Sequence, residues 1–261
     1  MDLQLKGQTA VIFGAANGIG RAIGEAFASE GCRLCAFDRD DSLKSVPEAA
    51  STFIGDATDF EQVKAACAQF QSDCGALHHI VHAIGIGSGK FGFPFWNLDP
   101  ADWSKTLQVN LLTAVNVAHA VAPYLTTQKQ GTLLFLTSVA GQIGSQTDPP
   151  YSAAKAGLIN FMQCAAKDFA KFGVRANTLS PGMVKTQLNQ SVWAAGQERL
   201  PESERQTYEE WACEKIKLIA PLGQWQTPPE FAAMATYLAS EHARNITGQT
   251  INIDGGQVMH S

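Results

Sequence analysis

Short apolar runs alternate with longer amphipathic stretches along the whole chain of 261 residues. The runs are rich in Val, Ile, Leu and Phe and end in Gly, Asp, Ser or Pro, a pattern typical of parallel strands that are buried on both faces. The pattern predicts strands at Thr9–Phe13, Arg33–Phe37, His79–Ala83, Thr132–Thr137, Arg175–Leu179 and Thr250–Ile253. One further strand could end at Asp56.

The stretches between the strands carry helix-end signals. Asp59 is a good N-cap residue, and Gly31 and Gly173 stand where glycine commonly ends a helix. The predicted helices are Ile19–Glu30, Phe60–Phe70, Asp102–Tyr124, Ser152–Lys171 and Pro229–Ala239. Strands that alternate with helices imply right-handed crossovers and a parallel sheet. We therefore predict an α/β fold: one Rossmann-type doubly wound parallel sheet, with helices on both faces, that uses residues 1–261 as a single domain.

Composition and charge exclude several kinds of protein. The apolar runs are too short for a membrane span, and the N-terminus lacks the pattern of a secretory signal. The net charge is −5 and no basic cluster stands out, so no nucleic-acid partner is expected. Cys32 and Cys35 form a C-x-x-C that could be a redox or metal motif, but they lie in a strand-like run. Buried free thiols in the cytoplasm fit the six scattered cysteines better.

A glycine-rich turn joins the first predicted strand to the first helix. Gly14, Gly18 and Gly20 let the backbone turn tightly and approach a pyrophosphate, whose charge the helix N-terminus favours. Asp38 lies 18 positions after Gly20, where a carboxylate can accept from ribose hydroxyls and repel a 2′-phosphate. These features predict NAD rather than NADP, although Arg39 partly offsets the charge. Asp56 could accept from the adenine amino group or could cap a turn.

Ser138, Tyr151 and Lys155 form a candidate catalytic set. Ser138 follows a predicted strand at the sheet edge where α/β proteins bind ligands, and could hold a substrate oxygen. Tyr151 and Lys155 are four positions apart after two prolines, so a helix that starts there places them on one face. A nearby ammonium favours the phenolate, which predicts a lowered tyrosine pKa and acid/base work by Tyr151.

The chain closely resembles the short-chain dehydrogenase/reductase family over residues 5–258. The resemblance rests on Gly14-x-x-x-Gly18-x-Gly20, Asn110, Ser138, Tyr151-x-x-x-Lys155, Pro181-Gly182 with Thr186, and Asp254-Gly255-Gly256, all in family order. It implies that Tyr151 is the acid/base, that Lys155 holds the nicotinamide ribose, that Ser138 orients the substrate and that Asn110 binds a relay water. For Asn110, an exposed polar group on a helix is the alternative.

The resemblance also implies which residues contact the cofactor. The implied set is Gly14, Asn17, Gly18, Ile19, Gly20, Asp38, Asp56, Ala57, Ala83, Gly85, Tyr151, Lys155, Pro181, Gly182, Val184 and Thr186. Hydride would pass between the nicotinamide and a carbinol carbon without a metal. The histidines His78, His79 and His82 suit a strand and its entry turn better than a ligand set. The family assembles as homotetramers or homodimers, here through Asp102–Tyr124 and Ser152–Lys171.

The chain departs from the family pattern at two places. Phe13 stands where the family usually has Thr, and His82-Ala83-Ile84-Gly85 replaces the usual Asn-Asn-Ala-Gly. The second change puts the support of the nicotinamide side in doubt, but not the fold.

Two segments are candidate walls of the substrate site. Residues 183–220 form a long insertion that we interpret as a lid, with a helix predicted at Glu202–Leu218 and aromatic residues Trp193 and Trp211. These side chains could instead only pack on the body. The second wall is Gly85–Lys90 with Phe91, Phe93, Phe95 and Trp96. Gln142, Ser145, Gln146 and Asp148 precede Tyr151 and could contact substrate hydroxyls.

The sequence therefore predicts an NAD-dependent oxidoreductase acting on a small secondary alcohol or ketone. The polar positions before Tyr151 and the tail after Thr247 favour a polyol or sugar-derived substrate. A 3-oxoacyl thioester reductase is the main alternative, although such enzymes usually take NADP, which Asp38 opposes. Aromatic or steroid-like alcohols stay open. A catalytically silent NAD-sensing module is disfavoured because Ser138, Tyr151 and Lys155 are intact, and a methyltransferase has no use for that set.

Overall fold

A computed structural model describes residues 1–46, 49–90, 95–145, 147–198 and 200–259. Seven parallel strands form one sheet, in the order β3-β2-β1-β4-β5-β6-β7. They are β1 (Thr9–Phe13), β2 (Arg33–Asp38), β3 (Ala49–Ile54), β4 (His79–His82), β5 (Gly131–Leu136), β6 (Val174–Pro181) and β7 (Thr250–Ile253). The predicted fold class is confirmed. The predicted bounds of β1 and β7 are correct, and those of the other predicted strands differ by one or two residues at their ends.

Helices cover both faces of this sheet. They are α1 (Gly18–Ser29), α2 (Phe60–Cys74), α3 (Pro100–Leu107), α4 (Thr113–Gln128), α5 (Pro149–Ala170), α6 (Gln187–Gln197), α7 (Tyr208–Ile219) and α8 (Pro228–Ala239). One apolar core lies between the sheet and α2, α4 and α5. The other lies between the sheet and α1 with α8. None of the helices in the described ranges is long and apolar enough to cross a membrane.

The predicted helix ends are well supported by the structure. The Asp59 side chain accepts from the backbone N–H of Glu61 at 2.9 Å, as expected of an N-cap. Gly31 and Gly173 follow their helices with positive φ angles of 82° and 71°, which glycine adopts without strain.

The predicted helix Asp102–Tyr124 is wrong as a single element. A π-helical turn at Gln108–Leu112 separates α3 from α4. Asn110 within this turn donates its side-chain amide to the carbonyl of Thr106 at 2.9 Å. Such a bond competes with the regular backbone bond four residues apart and opens the turn.

The predicted helix Glu202–Leu218 is also only partly correct. A short 3₁₀ turn occupies Glu202–Glu204, and α7 begins at Tyr208 behind a capping box that joins Thr207 and Glu210. The helix α6 was not predicted from the sequence.

The C-x-x-C does not act as a pair. Cys32 contributes to the core on the α1 side, whereas Cys35 contributes to the core on the α2 side. The Cys35 thiol lies 3.1 Å from that of Cys74 instead, and burial raises the pKa of both Cys32 and Cys35.

Candidate active site

A cavity of about 470 Å³ opens at the carboxyl ends of β1, β2 and β4. This is where the strand order of a doubly wound sheet reverses and where such sheets bind ligands. Its lining includes seven of the residues that the sequence assigned to a cofactor: Gly14, Asn17, Asp38, Asp56, Ala57, Ala83 and Gly85.

The glycine turn contributes Gly14 and Asn17 to the cavity lining, and two of its glycines have no room for a side chain. Gly14 has a φ of +91°, and a Cβ there would lie 2.9 Å from the carbonyl carbon of Ala83. A Cβ on Gly20 would lie 2.0 Å from the Gly14 carbonyl oxygen. At the start of α1, the Asn17 side chain makes no capping hydrogen bond in the described structure. The first N–H groups of α1 can therefore meet an anionic ligand, and the turn fits a pyrophosphate.

Asp38 lies at the end of β2 beside this turn. Its carboxylate accepts from the backbone N–H of Ala16 at 3.0 Å and from that of Asp40 at 3.1 Å. Arg39 lines the cavity next to it. Asp56 caps a turn, since one of its oxygens accepts from the Thr58 N–H at 2.8 Å, and it also lines the cavity. Its contact with the adenine amino group stays a prediction.

Lys155 is buried at the end of β5, beside Tyr151. It lies one turn after Tyr151 on α5, with its ammonium 5.5 Å from the Tyr151 ring centre. The Nζ atom donates to the Leu136 carbonyl at 2.9 Å, which anchors it to the end of β5. Only 2% of the residue is exposed, and this burial lowers the lysine pKa to about 7.

The expected effect of Lys155 on the Tyr151 pKa does not appear. Burial, with a smaller contribution from the Asp148 carboxylate, raises the pKa of Tyr151 to about 12, while a hydrogen bond with Ser138 opposes the rise. The physical reason is that the buried phenolate loses its hydration, and this cost outweighs the groups that stabilise it.

Asn110 is hydrogen-bonded to Ile86 in the loop after β4, and this loop lines the cavity. Asn110 is fully buried, so the exposed helix position considered as its alternative is wrong. Its amide donates to the Ile86 carbonyl at 2.8 Å and its oxygen accepts from the Ile86 N–H at 3.2 Å. A Cβ on Gly85 would lie 3.0 Å from the Asn110 oxygen and 3.2 Å from the Lys155 Nζ. The π-helical turn thus brings Asn110 and Lys155 to the same edge of the cavity.

The segment after β6 lies away from the lining of this cavity. Gly182 packs on the C-terminal segment, where a Cβ would lie 2.7 Å from the Asp254 Cα. Val184 pairs with Gln226 in an isolated parallel bridge. Thr186 caps α6 by accepting from the Asn189 N–H at 3.4 Å. The cofactor roles of Pro181, Gly182, Val184 and Thr186 stay predictions.

The candidate substrate residues are divided among several places. Gln142 donates to Asn252 at 2.6 Å, so a substrate would compete with an existing bond. Asp148 caps α5 through the Tyr151 N–H and accepts from the Ser88 N–H at 2.7 Å, which makes it a brace between two loops. Trp193 and Trp211 line a second cavity. Gln146, Phe91 and Phe93 lie outside the described residues.

The two departures from the family pattern are accommodated by packing. The Phe13 ring lies 5.0 Å from that of Phe37, and fills the space below the cavity. His82 lies 2.8 Å from the Thr113 hydroxyl, which itself donates to the Val109 carbonyl at 2.6 Å. His82 therefore donates from Nε2, and burial lowers its pKa to about 3.

Sequence reasoning missed the wall that faces the glycine turn. This wall is formed by Lys105, Gln108, Val109 and Thr113. The sequence did not predict this wall, because it did not predict the π-helical turn, which contains Gln108 and Val109 and lies between Lys105 and Thr113.

A parallel sheet with a glycine turn at the switch point, and a Ser–Tyr–Lys cluster with a buried lysine beside it, defines a nicotinamide-dependent oxidoreductase. A family model described as enoyl-(acyl carrier protein) reductase matches residues 14–258. The chain belongs to the short-chain dehydrogenase/reductase family.

Several known proteins are similar to it over their full length. The 3-oxoacyl-[acyl-carrier-protein] reductase FabG of Thermotoga maritima is 32% identical, covering 98% of this chain and 100% of that protein. D-threitol dehydrogenase of Mycolicibacterium smegmatis is 29% identical over 99% of this chain and 95% of its own length. A solved structure of a proposed gluconate dehydrogenase from Agrobacterium tumefaciens superimposes with a TM-score of 0.84 at 25% identity, covering 99% of this chain and 100% of that one.

Proposed function

We propose that this protein is an NAD-dependent dehydrogenase that oxidises a secondary alcohol of a polyol or sugar-derived substrate, or reduces the corresponding ketone. The observation that carries the proposal is the cluster of half-buried Ser138 and Tyr151 with buried Lys155, beside the cavity that the glycine turn and Asp38 line. The thiols of Cys32, Cys35, Cys67 and Cys74 are buried and free, which supports a reducing compartment and hence the cytoplasm.

The cofactor choice rests on Asp38. The glycine turn and the start of α1 would hold the pyrophosphate, and Asp38 would accept from the ribose hydroxyls. The carboxylate would repel a 2′-phosphate at the same place. When bound, the nicotinamide supplies the hydride acceptor or donor.

Tyr151 would move the proton of the substrate hydroxyl. Ser138 is hydrogen-bonded to the phenol and can hold the substrate oxygen beside it. Lys155, fixed by the Leu136 carbonyl, can supply positive charge near the phenolate as it forms. Asn110 fixes the loop after β4 through Ile86, and so keeps the floor of the site in place.

The polyol class is supported by the likeness to D-threitol dehydrogenase and to the proposed gluconate dehydrogenase. A 3-oxoacyl thioester reductase is the second candidate, because the Thermotoga maritima reductase shares 32% of its residues with this chain.

The test is formation of NADH or NADPH, followed at 340 nm, with sugar alcohols, aldonates, 3-hydroxyacyl thioesters and simple secondary alcohols. We expect turnover of a polyol-type substrate with NAD. In Tyr151→Phe, turnover should fall by about two to four orders of magnitude while NADH still binds, since general acid–base catalysis contributes that much. Tyr237→Phe on α8 is the matched control. Near-normal turnover by Tyr151→Phe would refute the role of the tyrosine.

A further inference from the structure

A second cavity, of about 360 Å³, lies between α6, α7 and the loop that leads into α5. The indoles of Trp193 and Trp211 form its aromatic walls, with Val192 and Leu218 beside them, and Lys215 and Glu214 contribute the charged groups. The volume is within the range of small-molecule sites, which combine apolar walls with a few polar groups.

Lys215 is the unusual member of this lining. Its ammonium lies 4.3 Å from the Trp211 ring centre, and partial burial lowers its pKa. In the described part of the chain it forms no ion pair, whereas Lys185, also beside the aromatic rings of this segment, is paired with Glu209 at 2.6 Å. Glu214 in the same wall accepts from the Gln206 amide at 2.7 Å. A partly buried cation without a counter-ion is unfavourable alone and fits a site for an anion.

The chain links this cavity to the Ser138–Tyr151–Lys155 cluster, because the residue after Thr147 is Asp148, whose carboxylate is close enough to raise the Tyr151 pKa. Thr147 lines it and lies one residue before Asp148, which caps the helix that carries Tyr151. Thr147 and Tyr151 are four positions apart, so their Cα atoms are within about 14 Å of each other.

We propose that Lys215 and the indoles of Trp193 and Trp211 bind the carboxylate end of the substrate, which makes the substrate a hydroxy acid of the aldonate type. This inference rests on the proposed dehydrogenase function and narrows its substrate class. A single ammonium, in a lining that also contains the Glu214 carboxylate, suits a monoanion better than a phosphate dianion, whose second charge would lack a cationic partner.

Steady-state kinetics with a charged and a neutral substrate test the site. For Lys215→Gln, we expect KM for gluconate to rise at least tenfold, while KM for sorbitol changes less than twofold. Lys215→Arg should restore most of the loss because it keeps the charge. Lys217→Gln, an exposed lysine on the same helix, is the control and should leave both constants unchanged. Equal losses with both substrates, or equal effects of the two lysine variants, would overturn the proposal.

Binding in the absence of turnover separates this inference from the proposed function. In Tyr151→Phe, gluconate titration by calorimetry should give a dissociation constant that Lys215→Gln weakens at least tenfold. If gluconate does not bind while sorbitol is oxidised, the carboxylate site is wrong and the dehydrogenase stands. If gluconate binds through Lys215 but no alcohol is oxidised, the carboxylate site stands and the dehydrogenase is wrong.

Discussion

Burial acts in opposite directions on the two ionisable groups of the cluster. Desolvation raises the pKa of Tyr151 and lowers that of Lys155, so both side chains favour their neutral forms. The sequence predicts the spacing of Tyr151 and Lys155, but it does not predict the balance between the charged and neutral forms of their side chains. That balance depends on how deeply β5 and α5 bury the two groups, and on Asp148, whose position relative to the phenol is set by the fold.

The lowered lysine pKa makes stability depend on pH. Lys155 binds its proton with a pKa of about 7 in the folded protein, against the ordinary value of 10.5. Between these values the unfolded chain binds more protons, so this residue makes the free energy of unfolding rise with pH, by up to about 1.4 kcal/mol per unit. We expect Lys155→Met to flatten the rise of Tm between about pH 7 and pH 9. Thermal melts of both proteins across that range measure it, and parallel curves would contradict the assigned burial.

The cofactor preference should be carried by one carboxylate. Asp38→Ser removes the charge at the end of β2 and leaves Arg39 in the cavity wall, so we expect the preference for NAD over NADP in kcat/KM to fall at least tenfold. The effect follows from Coulomb repulsion of a 2′-phosphate that the serine no longer exerts. Steady-state kinetics with both cofactors measure the ratio, with the exposed Asp41→Ser as control. An unchanged ratio would remove Asp38 from the ribose site.

At the scale of elements, the strands and the helix that carries Tyr151 and Lys155 were predictable, whereas α6 and the break between α3 and α4 were not. The runs Thr9–Phe13 and Thr250–Ile253 have the bounds the sequence predicts, because apolar residues end there at turn-forming ones. The π-helical turn at Gln108–Leu112 escaped prediction, because the Asn110 amide there combines a local bond to the Thr106 carbonyl with a tertiary contact to the Ile86 carbonyl. No local pattern records such a contact.

The end of β6 offers a test of packing against cofactor binding. Gly182→Ala would place a methyl group 2.7 Å from the Asp254 Cα, so we expect the free energy of unfolding to fall by about 1–3 kcal/mol. Gly196→Ala on α6 meets no atom within 4 Å and should stabilise by about 0.5–1 kcal/mol instead. Urea unfolding in the absence of NAD measures both. A stable Gly182→Ala with weakened NAD binding would assign this glycine to the cofactor site rather than to packing.

At the scale of the whole molecule, the sheet order places the glycine turn, Asp38 and the Ser–Tyr–Lys cluster on one edge. The pieces are far apart in sequence, and only the parallel sheet brings β1, β2 and β4 to one cavity. The alternation of strands and helices along the sequence predicts that the ends of these strands meet at one edge of the sheet. The sequence does not predict which substrate fits the cavity, because the lid is built from side chains that pack irregularly.

Assembly is the property of the whole molecule that is easiest to measure. The outer face of α5 presents small residues such as Ala153 and Ala156 to solvent, and Leu112 beside α4 is 51% exposed. Helices with small exposed residues can approach closely, so we expect a homotetramer or homodimer through these faces. Sedimentation velocity should give a mass that is two or four times 28.0 kDa. A species of single-chain mass at micromolar concentration would contradict this expectation.

The bridge between Val184 and Gln226 has a consequence for how such an enzyme can change its specificity. It joins the two ends of the lid, so α6 and α7 leave the sheet and return to it at neighbouring points. A segment with closely spaced ends can be exchanged or lengthened at little entropic cost, since loop-closure entropy grows only slowly with length. A different substrate pocket can therefore be inserted between the two fixed ends of the lid, while the cofactor cavity and the Ser138–Tyr151–Lys155 cluster keep their structure.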